Sequence, residues 1–544
     1  MSRKIKNQRM AAGASLFCAF ALSGCAWVLG VADYEPGDPT STEAPDAAVG
    51  EDSEASTPPP ALVVCGNITC RPHEICGPEA TRCECAAGYK VDPATTACLW
   101  SGGPKDPDFT NSPAGTWTLG GSAKLDPTAT GSDGGVGIGT LRGASDLSQR
   151  FEMPSLASAE PLALVLRVRS VPDCGECTVG VHPQVSFGSG SVEFVMPSLG
   201  FDRVQLCLGE RAFGAGASLA LFGDLDPRAS AAFYDRAEYL PAPSCPLPGV
   251  VPNGNFEGPS GWTATGGGAI LDNVGTTSSR GARLTNSCAL NAVTGSASFP
   301  NKSGAALRFT HKKTFDAPDY LMRLIVLGAR VPPRADFGED VVCAPAHARG
   351  NVVPIALSIG GPINGGCGAG FQLAVDDVAV TQDPKCDVPG YLFDGGFEGP
   401  ISYWLPGDAT GALGPNAWIT ETVDQFRTGS RALMLAARSV SGVESFMGKA
   451  SQMITIPPSK AAEGPVARAW YKTVNSSSAT ADFLTMAGVR QPLSASWVQA
   501  SVCLPPKRSG MAYELTFQYD GNKGTTSALV DDVSVETSPS CPAQ

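Results

Sequence analysis

The sequence NGNFEG occupies residues 253–258, and a closely similar sequence, DGGFEG, occupies residues 394–399. A weaker copy, DPDF, lies at residues 106–109. A tryptophan follows each copy after a short interval: Trp117, Trp262 and Trp404. Each copy opens a block of about 140 residues, so the pattern predicts that most of the chain is a tandem of three copies of one domain.

The three blocks also end alike, on a strand-like segment that leads to a cysteine. These segments run from 233 to 245, from 375 to 386 and from 530 to 541. In each of them an aspartate precedes the final cysteine by ten residues: Asp235 and Cys245, Asp376 and Cys386, Asp531 and Cys541. The shared beginnings and ends predict domains at 104–245, 250–386 and 390–541.

Composition favours an all-β chain. The 544 residues include 63 glycines and 45 prolines, and only 17% are charged, which suits short strands and turns better than long amphipathic helices. The net charge of -13 disfavours nucleic acid as a partner, because a phosphate backbone would be repelled. Eighteen cysteines beside four histidines indicate an oxidising compartment.

The N-terminus predicts export. A basic start and the apolar run 11–22 form a signal peptide over residues 1–24. Residues 22–25 read LSGC and resemble the lipobox of bacterial lipoproteins, which implies that Cys25 is acylated. The resemblance implies a lipid-anchored protein of the outer membrane or cell surface. Residues 25–64 are then a disordered tether, since residues 33–60 carry eight acids and no base.

Residues 65–98 form a small cysteine-rich module. Six cysteines fall within this segment, and spacing alone leaves fifteen pairings open. The stretch from Cys83 to Cys98 resembles the C-terminal signature of EGF-like domains. That resemblance implies the disulfides Cys65–Cys76, Cys70–Cys83 and Cys85–Cys98. The residues before Cys65 are apolar rather than acidic, so we expect no calcium in this module.

The order of parts in the blocks resembles the galactose-binding-like jelly rolls, especially the family 4/9-type carbohydrate-binding modules. The resemblance lies in the opening motif with its tryptophan and in the closing D-D-V strand. It implies three tandem antiparallel jelly-roll β-sandwiches, and the short alternating strands separated by turn residues support that fold. The first block is degenerate, because Thr110 replaces the opening glutamate and Arg236 replaces the second closing aspartate.

Cysteines recur in register in the three blocks. Their spacings of 38, 43 and 38 residues predict the disulfides Cys207–Cys245, Cys343–Cys386 and Cys503–Cys541. The remaining cysteines suggest Cys174–Cys177, as a disulfide within a turn, and Cys288–Cys367.

Two carboxylate pairs are candidate metal ligands. Simple alternation along the closing strands places Asp376 on the same face as Val378, and Asp531 on the same face as Val533. The resembling modules imply a structural calcium ion held by Glu257 and Asp376 in the second block, and by Glu398 and Asp531 in the third. The alternative is that both aspartates accept backbone N–H hydrogen bonds.

Aromatic residues are candidates for stacking on sugar rings. The tryptophans that recur after the opening motifs are predicted to pack in the cores. The ligand-binding candidates are the remaining aromatics of the third block: Trp418, Trp470, Tyr471 and Trp497.

The sequence predicts a protein without catalytic residues. His182, His311 and His347 lie at unrelated positions of the blocks, and no pattern pairs them with a nucleophile or a carboxylate. We therefore expect a surface-anchored, non-enzymatic lipoprotein that binds glycan or cell-envelope polysaccharide. The alternatives are a structural or adhesive protein that contacts other proteins, and an accessory chain of a polysaccharide-degrading system.

Overall fold

A computed structural model gives the fold. The chain falls into two units, residues 1–101 and 102–544. The described residues are 64–70, 74–77, 82–85, 89–91, 96, 98–100, 102–110, 116–130, 136–141, 145–154, 161–171, 184–187, 190–193, 201–214, 216–223, 231–276, 280–285, 292–314, 323–360, 372–407, 417–436, 446–458, 460, 462–474, 483–504, 510–521 and 526–542. The predicted signal peptide, Cys25 and the tether lie outside them, as do Cys174–Cys177 and Cys288–Cys367.

The described residues of the N-terminal unit contain six short strands that pair as three hairpins. They are β1 (Val64–Cys65) with β2 (Ile68–Thr69), β3 (Glu74–Cys76) with β4 (Cys83–Cys85), and β5 (Tyr89–Val91) with β6 (Cys98–Trp100). Three disulfides join them: Cys65–Cys76, Cys70–Cys83 and Cys85–Cys98. A module this small can bury little apolar surface, so these cross-links carry much of its stability.

Among its described residues the first sandwich has ten strands: β7 (Thr118–Gly120), β8 (Lys124–Thr130), β9 (Val136–Leu141), β10 (Asp146–Phe151), β11 (Leu162–Val171), β12 (Gln184–Phe187), β13 (Gly190–Glu193), β14 (Asp202–Cys207), β15 (Ala217–Phe222) and β16 (Ala231–Pro241). One sheet has the order β7-β10-β15-β12-β13 and the other the order β8-β9-β16-β11-β14. A 3₁₀ turn at Glu210–Ala212 follows β14.

The described part of the second sandwich also has ten strands: β17 (Thr263–Thr265), β18 (Gly268–Asp272), β19 (Arg280–Thr285), β20 (Ala292–Ser298), β21 (Ala305–Lys313), β22 (Arg323–Val326), β23 (Ala329–Val331), β24 (Gly338–Cys343), β25 (Val352–Gly360) and β26 (Gln372–Gln382). Its sheets have the orders β17-β20-β25-β22-β23 and β18-β19-β26-β21-β24. A 3₁₀ turn at Pro384–Cys386 follows β26.

The third sandwich repeats the pattern with β27 (Leu405–Gly407), β28 (Ala417–Thr420), β29 (Ala432–Ala436), β30 (Phe446–Thr455), β31 (Gly464–Val474), β32 (Phe483–Met486), β33 (Val489–Gln491), β34 (Val498–Cys503), β35 (Ala512–Gly521) and β36 (Ser527–Ser538). Its sheets have the orders β27-β30-β35-β32-β33 and β28-β29-β36-β31-β34.

All three sandwiches therefore have the same topology. Numbered from the first strand of each sandwich, one sheet has the order 1-4-9-6-7 and the other has 2-3-10-5-8, with antiparallel pairing throughout. This confirms the prediction of three tandem jelly-roll β-sandwiches. We call the sheet that contains β16, β26 or β36 the closing sheet of its sandwich, and its face away from the core the outer face.

A disulfide at the same place closes each sandwich. Three such bonds join the end of strand 8 to the residues after strand 10: Cys207–Cys245, Cys343–Cys386 and Cys503–Cys541. These are the pairs that the sequence spacing predicts.

Direct contacts join neighbouring sandwiches. The Arg211 N–H donates to Gly350 O at 3.1 Å, between the first and second sandwiches. Arg330 and Ser402 form an isolated antiparallel bridge between the second and third. The His347 Nδ1 lies 2.9 Å from Thr455 Oγ1 across the same junction. The segment 344–351 of the second sandwich thus supplies contacts to both neighbours, because it also includes Gly350.

Candidate functional site

The opening motif forms the same tight turn in every sandwich. In the second, the Phe256 N–H donates to Asn253 O at 2.9 Å, and both residues have left-handed backbone, with φ of 58° and 48°. Such a conformation is costly for phenylalanine and needs tertiary contacts to hold it. Trp262 supplies them: its ring centroid lies 4.9 Å from that of Phe256, and its Nε1–H donates to Asn253 O at 2.9 Å.

The other two sandwiches repeat this contact. The Nε1–H of Trp117 donates to Asp106 O at 3.0 Å, and that of Trp404 donates to Asp394 O at 3.1 Å. All three tryptophans are buried, as is the phenylalanine beside each. The prediction that these tryptophans are core residues is confirmed, and they are not available to stack on a ligand.

The closing strand contains a β-bulge where it meets the opening turn. The pairing of β26 with β21 shifts between Arg308 and Thr310, and Asp377 in the bulge has a φ of 53°. Leu373 and Val375 face the core before the bulge, and Val378 faces it afterwards. The prediction that Asp376 shares a face with Val378 is therefore wrong, because the extra residue shifts the alternation by one.

The third sandwich has the same bulge, at Asp532 with a φ of 48°. Val530 and Val533 both face its core, so Asp531 also lies on the outer face, contrary to simple alternation. Although they face outward, Asp376 and Asp531 are fully buried. In the third sandwich the loop between strands 2 and 3, residues 421–431, covers Asp531, and in the second sandwich the described residues after strand 2, 273–276, lie against Asp376.

We call these covering loops the straps. In the third sandwich, Asp531 Oδ2 accepts hydrogen bonds from the backbone N–H groups of Arg427 and Thr428, at 2.7 and 3.1 Å. Its Oδ1 accepts from the Asp532 N–H at 2.8 Å. Burial raises the pKa of Asp531 despite these bonds. In the second sandwich, Asp376 Oδ2 accepts from the Thr276 N–H at 2.7 Å.

The opening glutamates bind the C-terminal end of the strap in the third sandwich and the first residue of strand 3, Arg280, in the second. Glu398 Oε1 accepts from the N–H groups of Ser430 and Arg431 at 2.8 and 2.9 Å. Burial raises the pKa of Glu398, but these hydrogen bonds outweigh it and leave the pKa below its usual value. Glu257 Oε1 accepts from the Arg280 N–H at 2.9 Å in the same way.

The donor set around these carboxylates bears on the predicted calcium sites. Calcium is bound by oxygen ligands, whereas the groups that point at Asp531 are backbone N–H donors and those that point at Glu398 are two backbone N–H groups and the Ser430 hydroxyl, which donates at 2.7 Å. The two carboxylates also bind different parts of the strap, at 427–428 and at 430–431. These contacts fit the alternative interpretation, in which the aspartates accept backbone hydrogen bonds, and we derive no further step through calcium.

The aromatic ligand candidates have different environments. Tyr471 is 2% exposed, packs in the core and donates its hydroxyl to Pro492 O at 2.6 Å, so its prediction as a ligand contact is wrong. Sequence periodicity could not assign its face, because Trp470 and Tyr471 are consecutive and only one of them can point outward. Trp418 belongs to β28, and its side chain lies outside the described part of the structure.

Trp470 and Trp497 are half-buried on the outer face of the third closing sheet. The Arg427 guanidinium lies 3.9 Å from the centroid of the Trp470 ring and forms an ion pair with Asp532 at 2.6 Å. The strap thus covers part of Trp470. The Lys472 Nζ lies 5.1 Å from the Trp497 ring centroid and also donates to Asp424 O.

Trp497 belongs to a set that the sequence analysis missed. Each sandwich has a half-buried aromatic residue just before strand 8, six residues before the cysteine of that strand. A basic side chain on strand 5 lies over the ring of this residue. The distances from the cationic group to the ring centroid are 4.7 Å for Arg169 and Phe201, 4.3 Å for Lys312 and Phe337, and 5.1 Å for Lys472 and Trp497. The constant interval of six residues between the aromatic residue and the cysteine is visible in the sequence and identifies this set.

The structure also places a histidine beside a carboxylate, which the sequence analysis did not predict. His311 is fully buried, and its Nε2 lies 2.7 Å from Asp340 Oδ2. Arg334 donates to both oxygens of Asp340 at 2.7 Å. Burial raises the pKa of Asp340, but Arg334 and His311 outweigh it and lower the pKa to about 2. His311 Nδ1 has no hydrogen-bond partner, and Arg334 is exposed, so the group is an ion-pair cluster at the surface with a buried histidine and without an adjoining nucleophile among the described residues.

No protein-family model and no curated protein matches the chain. The similar solved structures include carbohydrate-binding modules. The N-terminal CBM22-1–CBM22-2 tandem domain of Xyn10C from Paenibacillus barcinonensis is 14% identical, with 49% of this chain and 93% of that chain covered and a TM-score of 0.18. TmCBM61 in complex with β-1,4-galactotriose is 15% identical, with 27% and 98% covered and a TM-score of 0.20.

A third similar structure is the triple jelly roll from the turret of an archaeal virus. It is 10% identical, with 78% of this chain and 92% of that chain covered and a TM-score of 0.17. At these identities and TM-scores the likenesses carry no argument about function. Among the described residues, no helix has the length and apolar character needed to cross a bilayer.

Proposed function

We propose that this protein is a non-enzymatic glycan-binding protein, held at the cell surface by an acylated Cys25 and by a tether that leads to an EGF-like module. The observation that carries the proposal is the recurring aromatic residue on the outer face of each closing sheet: Phe201, Phe337 and Trp497. An aromatic face is the usual surface on which a protein stacks a pyranose ring, and polar groups beside it fix the orientation of the sugar.

The three aromatics occupy equivalent positions on three joined sandwiches. Once a polymer is held at one of them, contact with a second is intramolecular and needs less affinity of its own. Three weak sites repeated along the protein suit a polysaccharide, whereas a small molecule would need one deep pocket.

A glycan array probed with the full chain tests the proposal. We expect binding to polysaccharides, and we expect Trp497→Ala to weaken it. Phe483→Ala is the matched control, because Phe483 also lies under a cation, Arg490 at 3.7 Å, but belongs to the companion sheet of the same sandwich. Wild-type protein that binds no glycan, or equal losses in both variants, would contradict the proposal.

The contacts between sandwiches favour a second function, that of a spacer or adhesive protein. The Arg330–Ser402 bridge and the His347–Thr455 hydrogen bond restrict movement at the second junction. A chain that only spaces or joins proteins would bind no sugar, and its stability would not respond to any polysaccharide, so the same array separates the two functions.

A further inference from the structure

Three arginines cross the closing sheet of the first sandwich in a single row. Arg167 on β11 is the register partner of Arg203 on β14 and also of Arg236 on β16. Leu166 and Val168 on either side of Arg167 are fully buried, so Arg167 and its partners belong to the outer face. Like charges directly opposite one another on adjacent strands destabilise a sheet.

The fold does not require arginine at these positions. At the equivalent positions the second sandwich has Glu339, Thr310 and Asp377, and the third has Gln499, Trp470 and Asp532, counted on each strand from its cysteine or its register partner. Basic side chains in the first sandwich therefore stand where the other two have neutral or acidic ones. In a chain whose net charge is -13, this local reversal of charge is unexpected without an anionic ligand.

The charges of the row are only partly neutralised. The Arg236 Nε lies 3.0 Å from Glu238 Oε1 and 3.5 Å from Asp108 Oδ1. Arg203 is exposed, and among the residues that the structure describes it has no carboxylate within ion-pair distance.

A fourth arginine lies beside the row, between two aromatic rings. The Arg169 guanidinium carbon is 4.7 Å from the ring centroid of Phe201 and 4.8 Å from that of Phe233. Its Nε is buried and has no hydrogen-bond partner. Two stacked rings fix this guanidinium in place, and half-buried aromatic surface adjoins the cationic row.

We propose that this face of the first sandwich binds an acidic polysaccharide that carries a carboxylate on its sugar rings, a polyuronate. The inference rests on the proposed glycan-binding function and gives it a ligand class. A guanidinium can donate two parallel hydrogen bonds to the two oxygens of one carboxylate. Neighbouring strands are about 4.8 Å apart, so a chain that runs across the strands meets one arginine at each step.

Charge density favours a polyuronate over a nucleic acid. Duplex DNA carries one negative charge per roughly 1.7 Å of its axis, and an acidic protein repels such a polymer over its whole surface. A polyuronate carries at most one carboxylate per sugar, which matches a row with one guanidinium per strand, and its rings can pack against Phe201 and Phe233.

Binding of the full chain to immobilised polygalacturonate, at several salt concentrations, tests the inference. We expect Arg203→Gln, which copies Gln499 of the third sandwich, to weaken binding about tenfold. Arg150→Gln removes an exposed arginine from the other sheet of the same sandwich, and we expect it to change binding less than twofold. The double variant Arg167→Thr with Arg203→Gln should lose binding, and thermal unfolding of each variant shows whether it remains folded.

Methyl-esterified polygalacturonate and duplex DNA are the comparison ligands. Binding that requires free carboxylates, is absent for DNA and weakens with Arg203→Gln supports the inference. Equal binding of the esterified polymer, or no effect of Arg203→Gln, overturns the inference and leaves the proposed glycan-binding function standing. Equal binding of DNA also overturns it, since the face would then be an unselective polyanion surface. Failure to bind any glycan overturns both.

Discussion

The Val533 N–H donates a hydrogen bond to Gly395 O at 2.9 Å, and this bond joins the bulge of the last strand of the third sandwich to its opening turn. The Val378 N–H makes the same bond to Gly254 O at 2.8 Å in the second sandwich. The first and last segments of these domains are thereby held together, which explains why the opening and closing motifs recur as a pair although Gly254 and Val378 are 124 residues apart and Gly395 and Val533 are 138 residues apart.

The first prediction concerns the glycine of the opening turn. A Cβ at Gly395 would overlap Val533 O, so Gly395→Ala must displace the turn from the bulge. We expect the third sandwich to lose about 2 kcal/mol or more of its free energy of unfolding. Gly396→Ala is the control, because the nearest atom to its added Cβ would be 3.8 Å away. Chemical denaturation that finds both variants equally stable would contradict the prediction.

The second prediction concerns the buried aspartate of the strap. Asp531→Ala leaves the N–H groups of Arg427, Thr428 and Asp532 without their acceptor. We expect a loss of about 2–3 kcal/mol and faster proteolysis within residues 421–431. The control is Val423→Ala, because Val423 lies in the same strap and its side chain is 74% exposed. A strap that stays resistant to protease in Asp531→Ala would show that it is held by other contacts.

Calcium binding by Glu257 with Asp376 and by Glu398 with Asp531 remains a prediction, and thermal unfolding of the wild-type protein tests it. If calcium binds, thermal unfolding in calcium and in chelator should differ, since a ligand that binds only the folded state raises its stability. Equal melting temperatures would mean that the hydrogen-bond donors of the chain alone satisfy these carboxylates.

The architecture could be predicted from the sequence because its signals recur three times. The opening motifs, the closing strands and the cysteines at equal spacing each identify the same domain, and the tryptophans repeat with them. The outer face was harder to predict. Period-2 alternation fails at Asp377 and Asp532, because a bulge adds one residue to the strand without any glycine to mark it.

The arginine row shows a second limit. Arg167, Arg203 and Arg236 lie far apart in the sequence, and only the strand register brings them together. In the sequence, Arg236 in place of aspartate indicates degeneration of the first domain. A single position carries no information about its partners across the sheet, so the row of arginines is not visible there. The aromatic residues six positions before each cysteine were, in contrast, visible in the sequence.

The third prediction concerns export. The lipobox resemblance implies that Cys25 is acylated, so Cys25→Ser should leave the protein without its anchor or unprocessed. We expect metabolic labelling with a fatty acid to mark wild-type protein in the membrane fraction and not the variant. Wild-type protein that is unlabelled and remains in the soluble fraction would refute the anchor.

The fourth prediction uses a difference between two equivalent residues, Asn253 and Asp394. The Asn253 Nδ2 donates to Gly258 O and Ser260 O, both at 2.8 Å. In the third sandwich Asp394 Oδ1 accepts from the Gly399 N–H at 3.0 Å, as Asn253 Oδ1 does from Gly258, but Oδ2 is buried and has no partner. An ionised Asp394 therefore places an unpaired carboxylate oxygen where the second sandwich has a donor.

Burial raises the pKa of Asp394 from 3.8 to about 6, although the Gly399 hydrogen bond and the charge of Arg431 oppose the rise. A carboxyl group whose pKa is higher in the folded state stabilises it fully below the unfolded pKa, and that stabilisation is lost as the pH rises through the folded pKa. We expect the third sandwich to be less stable at pH 7 than at pH 4 by on the order of 2 kcal/mol through this group. Asp394→Asn should remove this dependence and stabilise the sandwich at pH 7, because its amide can donate as that of Asn253 does.

Hydrogen exchange of residues 391–407 at both pH values provides the measurement, and Asn253→Asp should introduce the same dependence into the second sandwich. Exchange in Asp394→Asn that follows pH as it does in the wild type, after correction for the intrinsic rate, would show that another group is responsible.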